Sequence, residues 1–288
     1  MNLYELRTFL VVAESGSVST AAAQLHLSQP AISRRIQNLE QTLDTLLFNR
    51  IGKRMSLTEA GRLLMPQARS LLDLWRNTEK EIRNLSQDVA GPLHVATSHH
   101  IGLHRLAPVL AQFRDEYPDV ELNLTFEDSE VTHQMVQAGN IELAVATLDP
   151  SGGGTLEAET VWHDPLIFVD AQAGEATLSQ LASRPCVLPD SGTYTGRIVM
   201  ERFTHLGLPL QPIMSTNYLE TIGMLVSVGL GWSVLPASMQ GELERIDVID
   251  IGRLGVNGLS RELGIVTNPA KVLGNAAQAF IATLRAHA

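Results

Sequence analysis

A mixed α/β fold with a small, mostly helical head is what this 288-residue sequence predicts. Three observations predict it. Residues 1–58 show helical apolar spacing three times and then two short apolar-rich runs around a basic turn. A longer helical stripe follows and stops at the Gly-Pro pair 91–92. From Pro92 onward, alternating strands and striped helices succeed one another, the pattern of a parallel sheet with helices on its faces. The composition, 44% hydrophobic and 18% charged, supplies more than one core. No window approaches the roughly 18 apolar residues of a membrane span. The N-terminus MNLYELRTFL lacks the marks of a signal peptide, and Cys186 is the only cysteine, so no intrachain disulfide forms. A reducing, cytoplasmic setting and no membrane partner are expected.

Charge is unevenly placed. Residues 1–62 carry seven Lys/Arg and five Asp/Glu, whereas residues 63–288 carry fourteen and twenty-six. A slightly basic head on an acidic body suits one end that meets a polyanion and a body that does not. Leu6, Phe9, Leu10 and Ala13 stripe a first helix that ends at Gly16. Ser17 or Ser19 caps a second, "STAAAQL", whose alanines permit close helix approach. Ser28 caps a third, with Pro30 tolerated in its first turn. Ile32, Ile36, Leu39 and Leu43 form its apolar stripe, and Arg35 lies nearer the core flank. The outward face carries Pro30, Ser33, Arg34, Gln37 and Gln41, polar readers with no central acid. Two helices joined by about three residues, the second bearing such readers, make a helix-turn-helix. In "LLFNRIGKRMSLT" two short strands flank Gly52, Lys53 and Arg54, a hairpin wing with a cationic tip. The head is therefore read as an all-α-type winged helix-turn-helix that places one helix in the major groove of double-stranded DNA. A surface corner with a basic turn would show either half of this pattern, not both in this order.

The stretch "LRTFLVVAESGSVSTAAAQLHLSQPAISRRIQNLEQTLDTLLFNR…LTEAG" resembles the N-terminal signature of LysR-type transcriptional regulators. The Ala-rich second helix, the S-Q-P-A-x-S-R start of the third, L-F-x-R and L-T-E-A-G are all in place. The resemblance implies a homodimeric or homotetrameric regulator with a small-molecule effector, and RNA polymerase as a further partner. It carries the family's DNA contacts onto Gln29, Pro30, Ser33, Arg34, Lys53 and Arg54; Gln37 joins them from the outward face. It also implies that the C-terminal region is a two-lobed α/β effector domain, similar to periplasmic solute-binding proteins. Without it, one larger α/β domain would be the default.

Thr58 caps the long helix, with Glu59 in its first turn, and Gly61 costs some helix propensity. Leu64, Ala68, Leu71, Trp75, Ile82 and Leu85 then read as a two-helix seam that pairs with another subunit. The domains expected are a DNA-binding head at 1–58, a dimerisation helix at 59–90 and an effector domain at 91–288. Its first lobe spans about 91–148 and 268–288, and its second about 160–266. Strands are expected at "LHVAT", "VELNLTF", "IELAVAT", "ETVWH", "LIFVD", "CVLP", "PIMST", "GWSVLP" and "RELGIVT". Between them come helices through Leu103–Tyr117, Val131–Val136, 194–206 and 218–228, and a last one from Asn275.

In such sheets ligands bind beyond the carboxyl ends of strands, at helix N-termini. Three hydroxyl-rich stretches fit: Thr97, Ser98, His99 and His100; Thr147; and Ser191, Thr193 and Tyr194. Most Ser and Thr at such junctions only cap helices; the resemblance raises the ligand reading. No arginine falls inside these stretches, which favours a monocarboxylate or a neutral polar compound over a dicarboxylate. A metal-sensing regulator using the His94–His104 cluster is the alternative, since His100 and His104 are four apart. Against it, no acid or cysteine within the stretch completes a site, and helix phasing turns His104 from His99. No cofactor and no metal ligand is therefore assigned. Walker and G-x-S-x-G motifs are absent, and Cys186 reads as a packed strand residue, so no enzyme is expected.

Overall fold

The computed structural model describes residues 1–51, 54–86, 88–152, 154–172, 175–240, 246–249 and 259–288. The chain divides into two compact units, Met1–Ser86 and Gln87–Ala288.

In the first unit, α1 (Leu3–Ser15) opens on a reciprocal capping box between Asn2 and Glu5 and closes at Gly16, left-handed at φ 63°. The Ser17 hydroxyl accepts from Thr20 N–H to cap α2 (Val18–Gln24), and Ser28 does the same for α3 (Gln29–Leu43) through Ala31 N–H. Leu6, Phe9, Ala21, Ala22, Ile32, Ile36 and Leu39 fuse the three helices into one core. Leu43, expected on that stripe, is exposed: it is the last residue of α3, and Asp44 turns left-handed directly after it. The antiparallel hairpin β1 (Phe48–Ile51) and β2 (Arg54–Leu57) pairs Phe48 with Leu57. The hairpin is pinned twice. The buried Glu40 carboxylate accepts from Leu47 N–H at 2.8 Å, and Met55 N–H donates to the Gly16 carbonyl at 2.9 Å.

Helix α4 (Glu59–Asn84) is capped by Thr58. A Cβ on Gly61 would stand 2.3 Å from the Leu47 carbonyl oxygen, so the residue that weakens the helix is the one that lets it approach the hairpin. The expected single seam divides in two. Ala68 and Leu72, with Leu64 beside them, pack into the head, while Leu71, Leu74, Trp75, Ile82 and Leu85 are exposed.

The second unit comprises, in chain order, β3 (Gly91–Thr97), α5 (His99–Ile101), a π-helical stretch (Gly102–Leu106), α6 (Ala107–Glu116), β4 (Val120–Phe126), α7 (Ser129–Gln137), β5 (Leu143–Thr147) and β6 (Glu157–Asp170). Then follow α8 (Leu178–Ala182), β7 (Val187–Leu188), α9 (Tyr194–His205), β8 (Met214–Ser215), α10 (Leu219–Ser227), β9 (Ser233–Pro236), β10 (Asp247–Val248), β11 (Ser260–Thr267) and α11 (Asn275–Ala286). Strands β3, β4 and β5 are parallel, as are β7 and β8. The sheet is not parallel throughout: β11 runs antiparallel between β5 and β6. "ETVWH" and "LIFVD" are one strand, β6, continuous through Asp164 and Pro165. Its first part pairs with β11 and its last, Leu166–Val169, with β9. The two long strands thus join two cores. One gathers Leu93, Val95, Phe113, Ile265 and Phe280; the other stacks Phe203 on Trp232, with Phe168 at 5.8 Å. Cys186 sits in the second core, where burial pushes its thiol pKa up to about 11, so it is packed and unreactive.

Candidate functional site

The head offers one coherent polar face. Along α3, Gln29, Pro30, Arg34 and Gln37 are exposed and Ser33 is half-buried. Arg35, next in sequence, turns inward: its Nη1 donates to Thr8 Oγ1 at 3.3 Å and its guanidinium lies over the Tyr4 ring. Gln29 Nε2 donates to Ser19 Oγ, tying the start of α3 to α2. Arg54 is exposed as the first residue of β2, opposite Ile51. Gly52 and Lys53 lie outside the described residues.

The second unit holds a cavity of about 160 Å³ where the two lobes meet. Four helix N-termini face it, those of α5, α7, α9 and α10, through Ser98, Ser129, Thr193 and Leu219. Of the residues read from sequence, Ser98, His99, His100, Thr147, Thr193 and Tyr194 line it. Two do not. Thr97 is buried one residue back inside β3, and Ser191 is exposed in the turn before α9. The lining hydroxyls differ in availability. Thr193 Oγ1 is engaged, accepting from Gly196 N–H and donating to the Asp190 carbonyl. Ser98 stands at a cap position without making the side-chain cap bond.

Several lining residues were not singled out from the sequence. Phe126 ends β4 and Glu127, Asp128, Ser129 and Glu130 follow it, so this strand end obeys the same rule as the others. Asn217 and Tyr218 precede α10. The most consequential is Arg261, 5% exposed, in β11. Its Nε donates to Asp164 Oδ2 at 2.8 Å and its Nη1 to Thr195 Oγ1 at 3.0 Å, whereas its buried Nη2 has no partner among the described residues. Arg105 Nη2 reaches the same fully buried Asp164 at 3.2 Å. One buried carboxylate thus faces two guanidinium groups, and Glu220 also acts on Arg261 through space. The rim is acidic but partly occupied: Asp128 accepts from Asn217 Nδ2, and Glu130 from Tyr194 N–H. His99 packs edge-on against Phe126 and Tyr218 at the cavity wall.

The histidine stretch also resolves. His94 lies exposed in β3. His100 and His104 converge on Glu220 of α10, with His100 Nδ1 at 3.4 Å and His104 Nε2 at 3.1 Å from its Oε1. The acid missing from the local sequence is supplied 116 residues downstream of His104.

Two family models match this chain: the bacterial regulatory helix-turn-helix protein, lysR family, over residues 3–62, and the LysR substrate binding domain over residues 86–288. The chain belongs to the LysR family. It is a LysR-type DNA-binding transcriptional regulator, and the family's members are regulators, not enzymes. A RuBisCO operon transcriptional regulator of Allochromatium vinosum is 30% identical over 290 residues, covering 97% of this chain and 94% of that protein. An uncharacterised HTH-type transcriptional regulator of Azotobacter vinelandii is 52% identical over 111 residues, 38% of this regulator and 77% of that protein. Among solved structures, full-length CbnR in complex with its target DNA superposes with a TM-score of 0.63 at 23% identity, with all of both chains covered. No helix among the described residues is long and apolar enough to cross a membrane.

Proposed function

We propose that this regulator senses a small monocarboxylate in the cavity between its effector-domain lobes and reads DNA through α3 and the hairpin. The observation that carries the effector reading is Arg261. A buried guanidinium nitrogen without a partner is costly, and a ligand oxygen relieves it. The four converging helix N-termini favour the same charge. Of the two classes favoured by the sequence, monocarboxylate and neutral polar compound, Arg261 supports the first. A second carboxylate on the same ligand would meet Glu127, Asp128 and Glu130, so a dicarboxylate is disfavoured. About 160 Å³ accommodates a compound of metabolite size. Ser98, with its hydroxyl outside the cap bond, would donate to the carboxylate, and His99 would pack against the remainder.

On the DNA side, Gln29, Pro30, Ser33, Arg34 and Gln37 form the reading face, and Lys53 and Arg54 contact phosphates. The family model over residues 3–62 supports this assignment, as does the exposed, acid-free face. The exposed half of α4, Leu71, Leu74, Trp75, Ile82 and Leu85, supports a homodimer or homotetramer, and DNA reading supports a cytoplasmic setting.

A panel of monocarboxylates, dicarboxylates and neutral analogues, screened by thermal shift on the full chain, tests the effector reading. A monocarboxylate is expected to raise the melting temperature in the wild type and to lose most of that shift in Ser98→Ala. Stabilisation by neutral compounds alone would overturn it.

A further inference from the structure

We propose that His100, His104 and Glu220 form a binding site for a borderline transition-metal dication, of the zinc and cobalt type, that ties the helix following β3 to α10 beside the effector cavity. This goes beyond the effector reading and does not depend on it.

The donor atoms are already gathered. One ligand atom from each residue lies within 4.8 Å of the others. Bonds of roughly 2.0–2.1 Å to nitrogen and oxygen in a tetrahedral site set ligand–ligand edges near 3.3–3.4 Å. The Glu220 Oε1 distances, 3.4 Å to His100 Nδ1 and 3.1 Å to His104 Nε2, match such edges. Two imidazoles and one carboxylate are a set for zinc, cobalt or iron, not for magnesium or calcium.

The backbone does the gathering. Residues four apart on an α-helix are neighbours, but here Gly102–Leu106 is π-helical. This wider turn leaves the rings of His100 and His104 with centroids 4.5 Å apart. A side chain at Gly102 would strike the Phe126 ring, with its Cβ only 2.4 Å from Cε1. Single π turns are frequent at functional sites.

Arg261 acts on His100 and Glu220 through space, but its guanidinium is bonded to Asp164 and Thr195, and Asp164 offsets its charge. The metal site differs from the His94–His104 cluster read from sequence: His94 and His99 are outside it and Glu220 is inside.

The test is a Co²⁺ titration of chelator-treated, full-length protein without effector or DNA, followed by visible absorption and repeated by calorimetry with Zn²⁺. One saturable ion per chain with ligand-field bands is expected. His104→Ala and Glu220→Gln, each checked for native circular dichroism, are expected to weaken binding by at least about tenfold. Neither residue lines the effector cavity, so the effector response is read separately. Absence of saturable binding of both ions in the wild type overturns the proposal. Wild-type affinity retained in a folded Glu220→Gln protein also overturns it, even where His104→Ala fails to fold.

Discussion

Arg34 and Arg35 are adjacent, identical and differently employed. Arg35 spends its guanidinium on Thr8 and the Tyr4 ring, while Arg34 stands exposed on the face that carries Gln29, Ser33 and Gln37. Their substitutions should therefore separate. Arg34→Ala is expected to cost roughly 1–3 kcal/mol of specific DNA binding at unchanged stability, the worth of a good base-edge contact. Arg35→Ala should lower stability through the lost packing of α1 on α3. Equilibrium DNA binding at fixed salt, beside urea unfolding of each variant, checks both; a swap of the two phenotypes would refute the assignment. This distinction was legible in the sequence because 100° per residue is a strong rule on a helix with a clear apolar stripe. Arg261 and Glu220 were not. Glu220 lies 116 residues from His104 and Arg261 lies 66 from Thr195, and no local pattern marks a strand arginine as facing a cavity. The absence of arginine from three local stretches was correct as sequence and incomplete as chemistry.

At the scale of elements, most strand and helix positions of the second unit followed from periodicity, though α8 and β10 had no counterpart in it, and two further features did not follow either. Proline at 165 reads as a break, but its missing N–H falls within a strand that changes partners there, from β11 to β9. The π-helical stretch has no residue signature at all. Helix α4 shows a third limit. Periodicity identified an apolar stripe without saying which part the head would absorb. The structure assigns Ala68 and Leu72 to the head and leaves Leu71, at 43% exposure, Leu74 and Trp75 in the open, beside Met1 and Leu3 of the same unit. An apolar patch of this kind is the usual mark of an interface. Leu71→Glu is accordingly expected to give monomers without unfolding the head, since it adds charge to the open face and removes nothing from the core. Sedimentation at micromolar concentration is the measurement. A wild-type monomer, or an unaltered oligomer in the variant, would show that the open half of α4 is not the subunit contact.

For the whole molecule, the division at Ser86 and Gln87 sets out an energetic expectation. The head core contains Leu6, Phe9, Ile32 and Leu39, and among the described residues those lining the cavity all belong to the second unit. A ligand that binds a folded unit stabilises that unit by mass action, by about 2.7 kcal/mol at one hundred times its dissociation constant. A monocarboxylate effector should therefore raise one calorimetric transition of the full-length regulator. Gly61→Ala should lower the other, because its Cβ would stand 2.3 Å from the Leu47 carbonyl and overpacking of this kind costs roughly 1–3 kcal/mol. Scans of wild type and variant, each with and without ligand, form a complete cycle. Additive, separate shifts are expected, because the two perturbations share no contact residue. A single transition moved by both would mean that the units unfold as one, and that effector binding and DNA reading draw on the same cooperative structure.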